Sequence, residues 1–164
     1  MASTLTVDNI QGATTAGNVH IPGAVVQLQS TIKTDLFTTS SASFTDVTSN
    51  GNPLSITITP KYNTSKIYVF VALDYSASAG NYNNEMRLLE GSTEILRTMT
   101  RLNTNGNIIQ QSNEQILRSP ATTSAITYKV QVKCETGGVT YYVNQRGSGT
   151  YTGTSTITAM EIAQ

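Results

Sequence analysis

Ser124-Ala-Ile-Thr-Tyr-Lys-Val-Gln-Val-Lys-Cys-Glu135, followed by Thr136-Gly-Gly138 and Val139-Thr-Tyr-Tyr-Val143, is the stretch that decides the fold. Ile126, Tyr128, Val130, Val132 and Cys134 fall on one side, and Thr127, Lys129, Gln131, Lys133 and Glu135 on the other. Strict period-two alternation marks a strand with one buried and one wet face. Gly137-Gly138 supplies the positive-φ residues of a tight turn, and Val139, Tyr141 and Val143 resume the apolar side, so the stretch predicts a β-hairpin. A buried face this regular needs a second sheet over it, which predicts an all-β antiparallel sandwich.

Outward from this stretch, further strands are expected at Ala24–Gln29, Thr31–Thr38, Ser43–Val47, Leu54–Thr59, Lys66–Tyr75, Glu85–Glu90, Glu94–Thr98, Ile108–Leu117 and Ser155–Ile162. Clusters such as Ser49-Asn-Gly-Asn-Pro53, Gly91-Ser92 and Asn103-Thr-Asn-Gly-Asn107 separate them. Asn84–Thr100 has some helical character, but Gly91-Ser-Thr93 at its centre favours a hairpin. Eight or so core strands with such turns make a sandwich or jelly roll over residues 24–164. No fixed-period repeat is present.

Residues 1–23 differ. Thr4-Leu-Thr-Val-Asp-Asn-Ile10 alternates briefly, Gln11–Gly17 is a small-residue linker, and Val19-His-Ile21 runs into Pro22-Gly23. Such a segment buries too little apolar area to fold alone. It reads as a docking arm whose apolar anchors are Leu5, Val7, Ile10, Val19 and Ile21. About 22 extended residues reach roughly 70 Å, far enough to cross onto a neighbouring subunit.

Two strands break the one-sided pattern. Lys66–Asp74 sets Ile67, Val69, Val71 and Leu73 against Tyr68, Phe70 and Ala72, and Thr156–Ile162 sets Ile157 and Ala159 against Met160 and Ile162. A sandwich buries one face of each sheet. Tyr68, Phe70, Met160 and Ile162 are therefore candidates for a subunit interface in a closed oligomer.

Composition excludes several function classes. Among 164 residues only 12% are charged, and ten Lys+Arg balance ten Asp+Glu, which leaves no electrostatic footprint for nucleic acid or an anionic membrane. No apolar run approaches the ~18 residues of a membrane helix. The N-terminus lacks the basic and apolar regions of a signal peptide, and Met1 directly before the arm fits a complete small soluble protein. Cys134, the sole cysteine, falls on the buried side and is expected to act as a small hydrophobe. His20, the sole histidine, lies far from any nucleophile. The Ser30-Thr-Ile-Lys33 and Gly147–Gly153 stretches match catalytic and phosphate-loop patterns too loosely to carry weight, and Asn63-Thr-Ser65 fits a glycosylation pattern only in a secreted eukaryotic context. No calcium loop is present. Glu85, Arg87, Glu90, Glu94, Arg97 and Arg101 read as cross-strand ion pairs, and nothing places Glu85 and Glu94 as a glycosidase pair. No catalytic residue, metal ligand or cofactor is expected. Binding is better served: Tyr82, Asn83, Tyr142, Asn144, Gln145, Arg146 and Tyr151 lie in loops and are suited to stacking on, and hydrogen bonding to, a host-surface glycan or protein.

Ser119–Gln131, Tyr142-Val-Asn-Gln-Arg146 and Ser155–Ile162 resemble a widespread family of bacteriophage virion proteins, frequent in phages of aquatic bacteria and labelled tail-fibre or structural proteins. Thr4–Ile10, Gly12–Thr15 and Ile21–Gly23 resemble that family's connecting segment, as do Val26-Gln27, Lys33–Phe37 and Ser65–Ile67. The resemblance implies a jelly roll, a homotrimer, and a place on the virion exterior beside other virion proteins. Two placements fit it: a capsid decoration (cement) protein whose arm pins the major capsid protein, or the head of a tail fibre that binds the host. The absence of heptads or a shaft repeat favours decoration.

Overall fold

The structure is a computed structural model that describes residues 21–80, 82–101, 108–135, 138–147 and 150–164. The arm anchors Leu5, Val7, Ile10 and Val19, together with His20, lie outside the described residues. Among the described residues thirteen strands follow one another: β1 (Val25–Lys33), β2 (Phe37–Thr39), β3 (Thr45–Asp46), β4 (Thr48–Ser49), β5 (Asn52–Pro53), β6 (Ser55–Ile58), β7 (Lys66–Ala77), β8 (Asn84–Glu90), β9 (Thr93–Met99), β10 (Gln110–Arg118), β11 (Ile126–Cys134), β12 (Tyr141–Val143) and β13 (Ser155–Ile162). The described residues contain no helix.

All pairings are antiparallel. In the first sheet β7 is central. Its residues Lys66–Ala72 pair with β13 and Tyr75–Ala77 with β12 on one side, while β10 runs along the other. Beyond β13 and β12 lie β1 and β2, so four strand positions result: β1/β2, β13/β12, β7, β10. The second sheet likewise has four: β3/β6, β11, β8, β9. The chain keeps crossing from one sheet to the other, and the result is an all-β jelly-roll sandwich.

Alternation explains the core. Ile67, Val69, Val71 and Leu73 of β7 and Ile157 and Ala159 of β13 are fully buried, and they face Val130 and Val132 of β11 and Met86 and Leu88 of β8. Each of these side chains except that of Ala159 contributes about 1.5–3 kcal/mol through burial. Cys134 is buried and unpaired, its thiol donating to the Thr39 carbonyl (3.4 Å). The β4–β5 turn uses Asn50 and Gly51 at φ 50° and 77°, the left-handed pair a two-residue reversal requires.

Two expectations need correction. The Ser124–Val143 stretch is not a hairpin: β11 pairs with β3, β6 and β8 in the second sheet, whereas β12 pairs with β2 and β7 in the first. The chain passes from one sheet to the other between Cys134 and Tyr141. The strands expected at 24–29 and 31–38 are also divided differently. One strand, β1, continues through Ser30 to Lys33, because every position from Gln27 to Lys33 finds a partner on β13. The β8–β9 hairpin forms as expected around Gly91-Ser92.

Candidate functional surfaces

Three surfaces present side chains outward: the outer face of each sheet, and a rim built on β12 and β13. On the first sheet, register places residues in rows across four strands. Leu28, Met160, Tyr68 and Leu117 form one row; Ser30, Thr158, Phe70 and Gln115 the next; Ile32, Thr156, Ala72 and Asn113 a third. Lys66 and Ile162 flank the rows at one end of the strands, Asp74 and Gln111 at the other. Tyr68, Phe70, Met160 and Ile162, the four interface candidates, thus share one face and are half-buried there. Leu28, Ile32 and Leu117 on the same face are 52%, 67% and 50% exposed. The Tyr68 hydroxyl donates to Gln115 Oε1 within the face.

The second sheet presents the opposite chemistry. Glu94 accepts from Arg87 (3.1 Å) and Arg97 (2.8 Å), Glu85 from Arg97 (3.3 Å) and Lys133 (2.8 Å), and Lys129 meets Asp46 at 3.0 Å. The Phe44 ring lies under this lattice, with the Arg87 guanidinium 4.1 Å from its centroid and Arg97 and Lys133 each at 5.0 Å. Hydrogen bonding from Arg97 holds the Glu94 carboxyl below its ordinary value. A general acid needs the reverse shift, and neither Glu85 nor Glu94 is free of cations, so their arrangement does not suit glycoside cleavage.

The rim gathers part of the receptor-contact set. Gln145 bridges Thr152, and the Gln145 carbonyl accepts from the Ser76 hydroxyl (2.9 Å). The Arg146 guanidinium sits 4.5 Å over the Tyr151 ring, which is 65% exposed. Tyr142 lies beside them on β12, opposite Ser76 and Thr38. Tyr82 and Asn83 belong elsewhere: Asn83 exchanges bonds with Glu135 at the end of β11.

Asn144 is a correction. It is buried at φ 59°, donates from Nδ2 to the Lys33 and Asp35 carbonyls (2.8 and 3.1 Å), and accepts from the Ser155 hydroxyl (2.6 Å). Its amide is spent on the framework and faces no partner. Sequence reasoning also missed Glu161, an inward-facing carboxylate on β13, and Gly153, where an added Cβ would lie 2.4 Å from Asp74 Oδ2. Alternation placed Glu161 inward, but an apolar reading of that strand passes over it.

A cleft of about 340 Å³ lies between Thr31–Asp35 and Asn52–Ser55. At its edge the buried Lys33 ammonium is tied to Asp35 Oδ1 and the Asn52 carbonyl, both at 2.7 Å. Among the described residues no group of three or more His, Cys, Asp or Glu is placed to hold a metal ion, and no helix is long and apolar enough to cross a membrane.

No protein-family model matches this chain, and no curated protein does. Among solved structures, it is similar to that of infectious bursal disease virus, Gx strain, at a TM-score of 0.48 and 9% identity, covering 100% of this chain and 42% of the other. The VP2 subviral particle of infectious bursal disease virus gives 0.43 and 11%, covering 99% and 42%. Dimeric latent PorU from Porphyromonas gingivalis gives 0.38 and 9%, covering 90% and 14%. The chain thus spans about two fifths of the viral structures it matches.

Proposed function

We propose that this chain is a structural component of a virus particle, a phage exterior protein that works by assembly. In this reading it is a homotrimeric capsid decoration (cement) protein, anchored to the major capsid protein by residues 1–23. The observation that carries the assembly role is the two-sided first sheet, whose outer face holds Tyr68, Phe70, Met160 and Ile162 with three further large apolar side chains exposed around them. Apolar surface that crosses a whole sheet suits a protein that functions in contact with others. The resemblance of Ser119–Gln131 and Ser155–Ile162 to phage virion proteins supplies the setting. Ile21, 53% exposed where the arm joins β1, is the described end of the proposed anchor.

Labelling of whole particles tests the placement: label over the capsid supports decoration, and label confined to the tail overturns it. Removing residues 2–22 is expected to abolish capsid association, and undiminished association defeats the anchoring role.

The Arg146–Tyr151 stack favours a second reading, a tail module that binds a host-surface glycan or protein. It requires purified protein to bind host cells and to lose that binding in Tyr142→Ala with Arg146→Ala.

A further inference from the structure

We propose that the outer face of the first sheet seats a second copy of this chain, face to face across a two-fold axis, with the strands of the two copies running in opposite directions. The inference deepens the subunit-interface part of the proposed function and rests on it; where the protein sits in a particle does not enter.

Charge is the first ground. Along β7 the outward positions run from Lys66 to Asp74, and the three rows between them carry only apolar, hydroxyl and amide side chains. Among the described residues the ion pairs are concentrated on the other sheet. A neutral face loses little by giving up water, whereas an ion-paired one must be desolvated. Among the described residues neither Lys66 nor Asp74 has an ionic partner. With the two-fold axis over Phe70 and perpendicular to the strands, Lys66 of each copy meets Asp74 of the other. With the axis along the strands, Lys66 would meet Lys66. Opposite charges therefore select the first arrangement.

Shape agrees with charge. In the antiparallel stacking the bulky Tyr68 lies over the small Ala72 of the second copy, and the exposed Leu28 over the exposed Ile32. On the two central strands large positions meet small ones, Tyr68 over Ala72 and Met160 over Thr156, while Leu28 and Ile32 cover each other's exposed apolar surface, in sheets about 10 Å apart. Area is sufficient as well: four strands about 4.8 Å apart and nine residues at about 3.3 Å each span roughly 500 Å² per copy. Two copies then bury roughly 1,000 Å², at the lower bound of a specific interface. A three-fold ring joins two different patches, whereas this face matches itself. The contact therefore makes dimers of single chains, or joins two trimers into a hexamer.

Sedimentation equilibrium of the full chain tests it. The expected species is a dimer or a hexamer. Leu117→Glu should reduce it to a monomer or trimer with the circular dichroism spectrum unchanged, and Leu28→Glu serves the same purpose if Leu117→Glu fails to fold. Lys66→Glu should raise the dissociation constant at least tenfold by setting two carboxylates together. Adding Asp74→Asn to Lys66→Glu should recover most of that loss. A wild-type monomer, a trimer, an assembly that the folded Glu variants leave intact, or equal weakening by the single and double variants overturns the proposal.

Discussion

Inward on β13, the Glu161 carboxylate accepts from Gln27 Nε2 at 2.6 Å and from the backbone amides of Lys61 and Tyr62 at 2.8 and 3.3 Å. Burial pushes its pKa up, but these donors outweigh that and hold it below the ordinary value. Because the folded pKa lies below the unfolded one, ionised Glu161 stabilises the fold fully above the unfolded value of about 4.3. That stabilisation is lost as the pH falls through the folded value. Glu161→Gln is expected to lower stability by about 1–3 kcal/mol at pH 7 and to flatten the acid limb of the stability curve below pH 4. Urea unfolding of both proteins across pH 3–7 measures it; parallel acid limbs would show that Glu161 is not the group responsible. Period-two alternation placed this residue inward. Nothing local announced that Gln27, 134 positions away, and the Lys61–Tyr62 amides would meet it there.

At the scale of elements, the β12–β13 connection is held by two residues with different jobs. Asn144 adopts a left-handed conformation and ties β1 and β13 together through its amide. Gly153 lets the returning chain pass against Asp74, whose Oδ2 accepts from the Thr154 amide at 2.9 Å. Asn144→Ala should cost about 2–4 kcal/mol, by leaving buried carbonyls unpaired and by straining φ. Asn144→Gly, which removes the strain alone, should recover about 1 kcal/mol of that. Gly153→Ala should cost about 1–3 kcal/mol through overpacking. Denaturant midpoints rank all three, and an Asn144→Ala protein as stable as the wild type would remove Asn144 from the framework. The same connection shows where reading the sequence reaches its end. The faces of β11 and β12 were legible, since Val130 and Val132 on one and Tyr141 and Val143 on the other all turn inward. Their pairing was not. A hairpin partner and a strand on the opposite sheet both point apolar side chains into the same core, so alternation cannot tell them apart. Asn144 misled for a related reason: an Asn in a polar loop looks exposed until the carbonyls of Lys33 and Asp35 are brought to it.

For the whole molecule, two outer faces of opposite character stand on one neutral chain. The ion-paired face was legible as the dense charges of residues 85–101, and the apolar one as the two-sided strands at 66–74 and 156–162. Every strand among the described residues lies at Val25 or beyond, so removing residues 2–22 is expected to leave the midpoint of thermal unfolding within a few degrees of wild type while capsid association disappears. Scanning calorimetry beside a particle-binding assay separates the two, and a large drop in the midpoint would make the arm part of the fold. The assembly test belongs to this scale too, because only a whole face can carry a two-fold contact.

The pairing of β1 with β13 sets a schedule for folding. Val25 lies opposite Ile162, and the central strand β7 meets β1 only through β13. The first sheet therefore cannot close until β13 has left the ribosome, and β1 waits through the synthesis of everything between them without its ladder partner. Contacts this distant along the chain place refolding in the millisecond-to-second range typical of sandwiches. A chain that stops before Ser155 has no strand to bridge β1 to β7. Until β13 emerges, the first strand of this sheet has nothing to join.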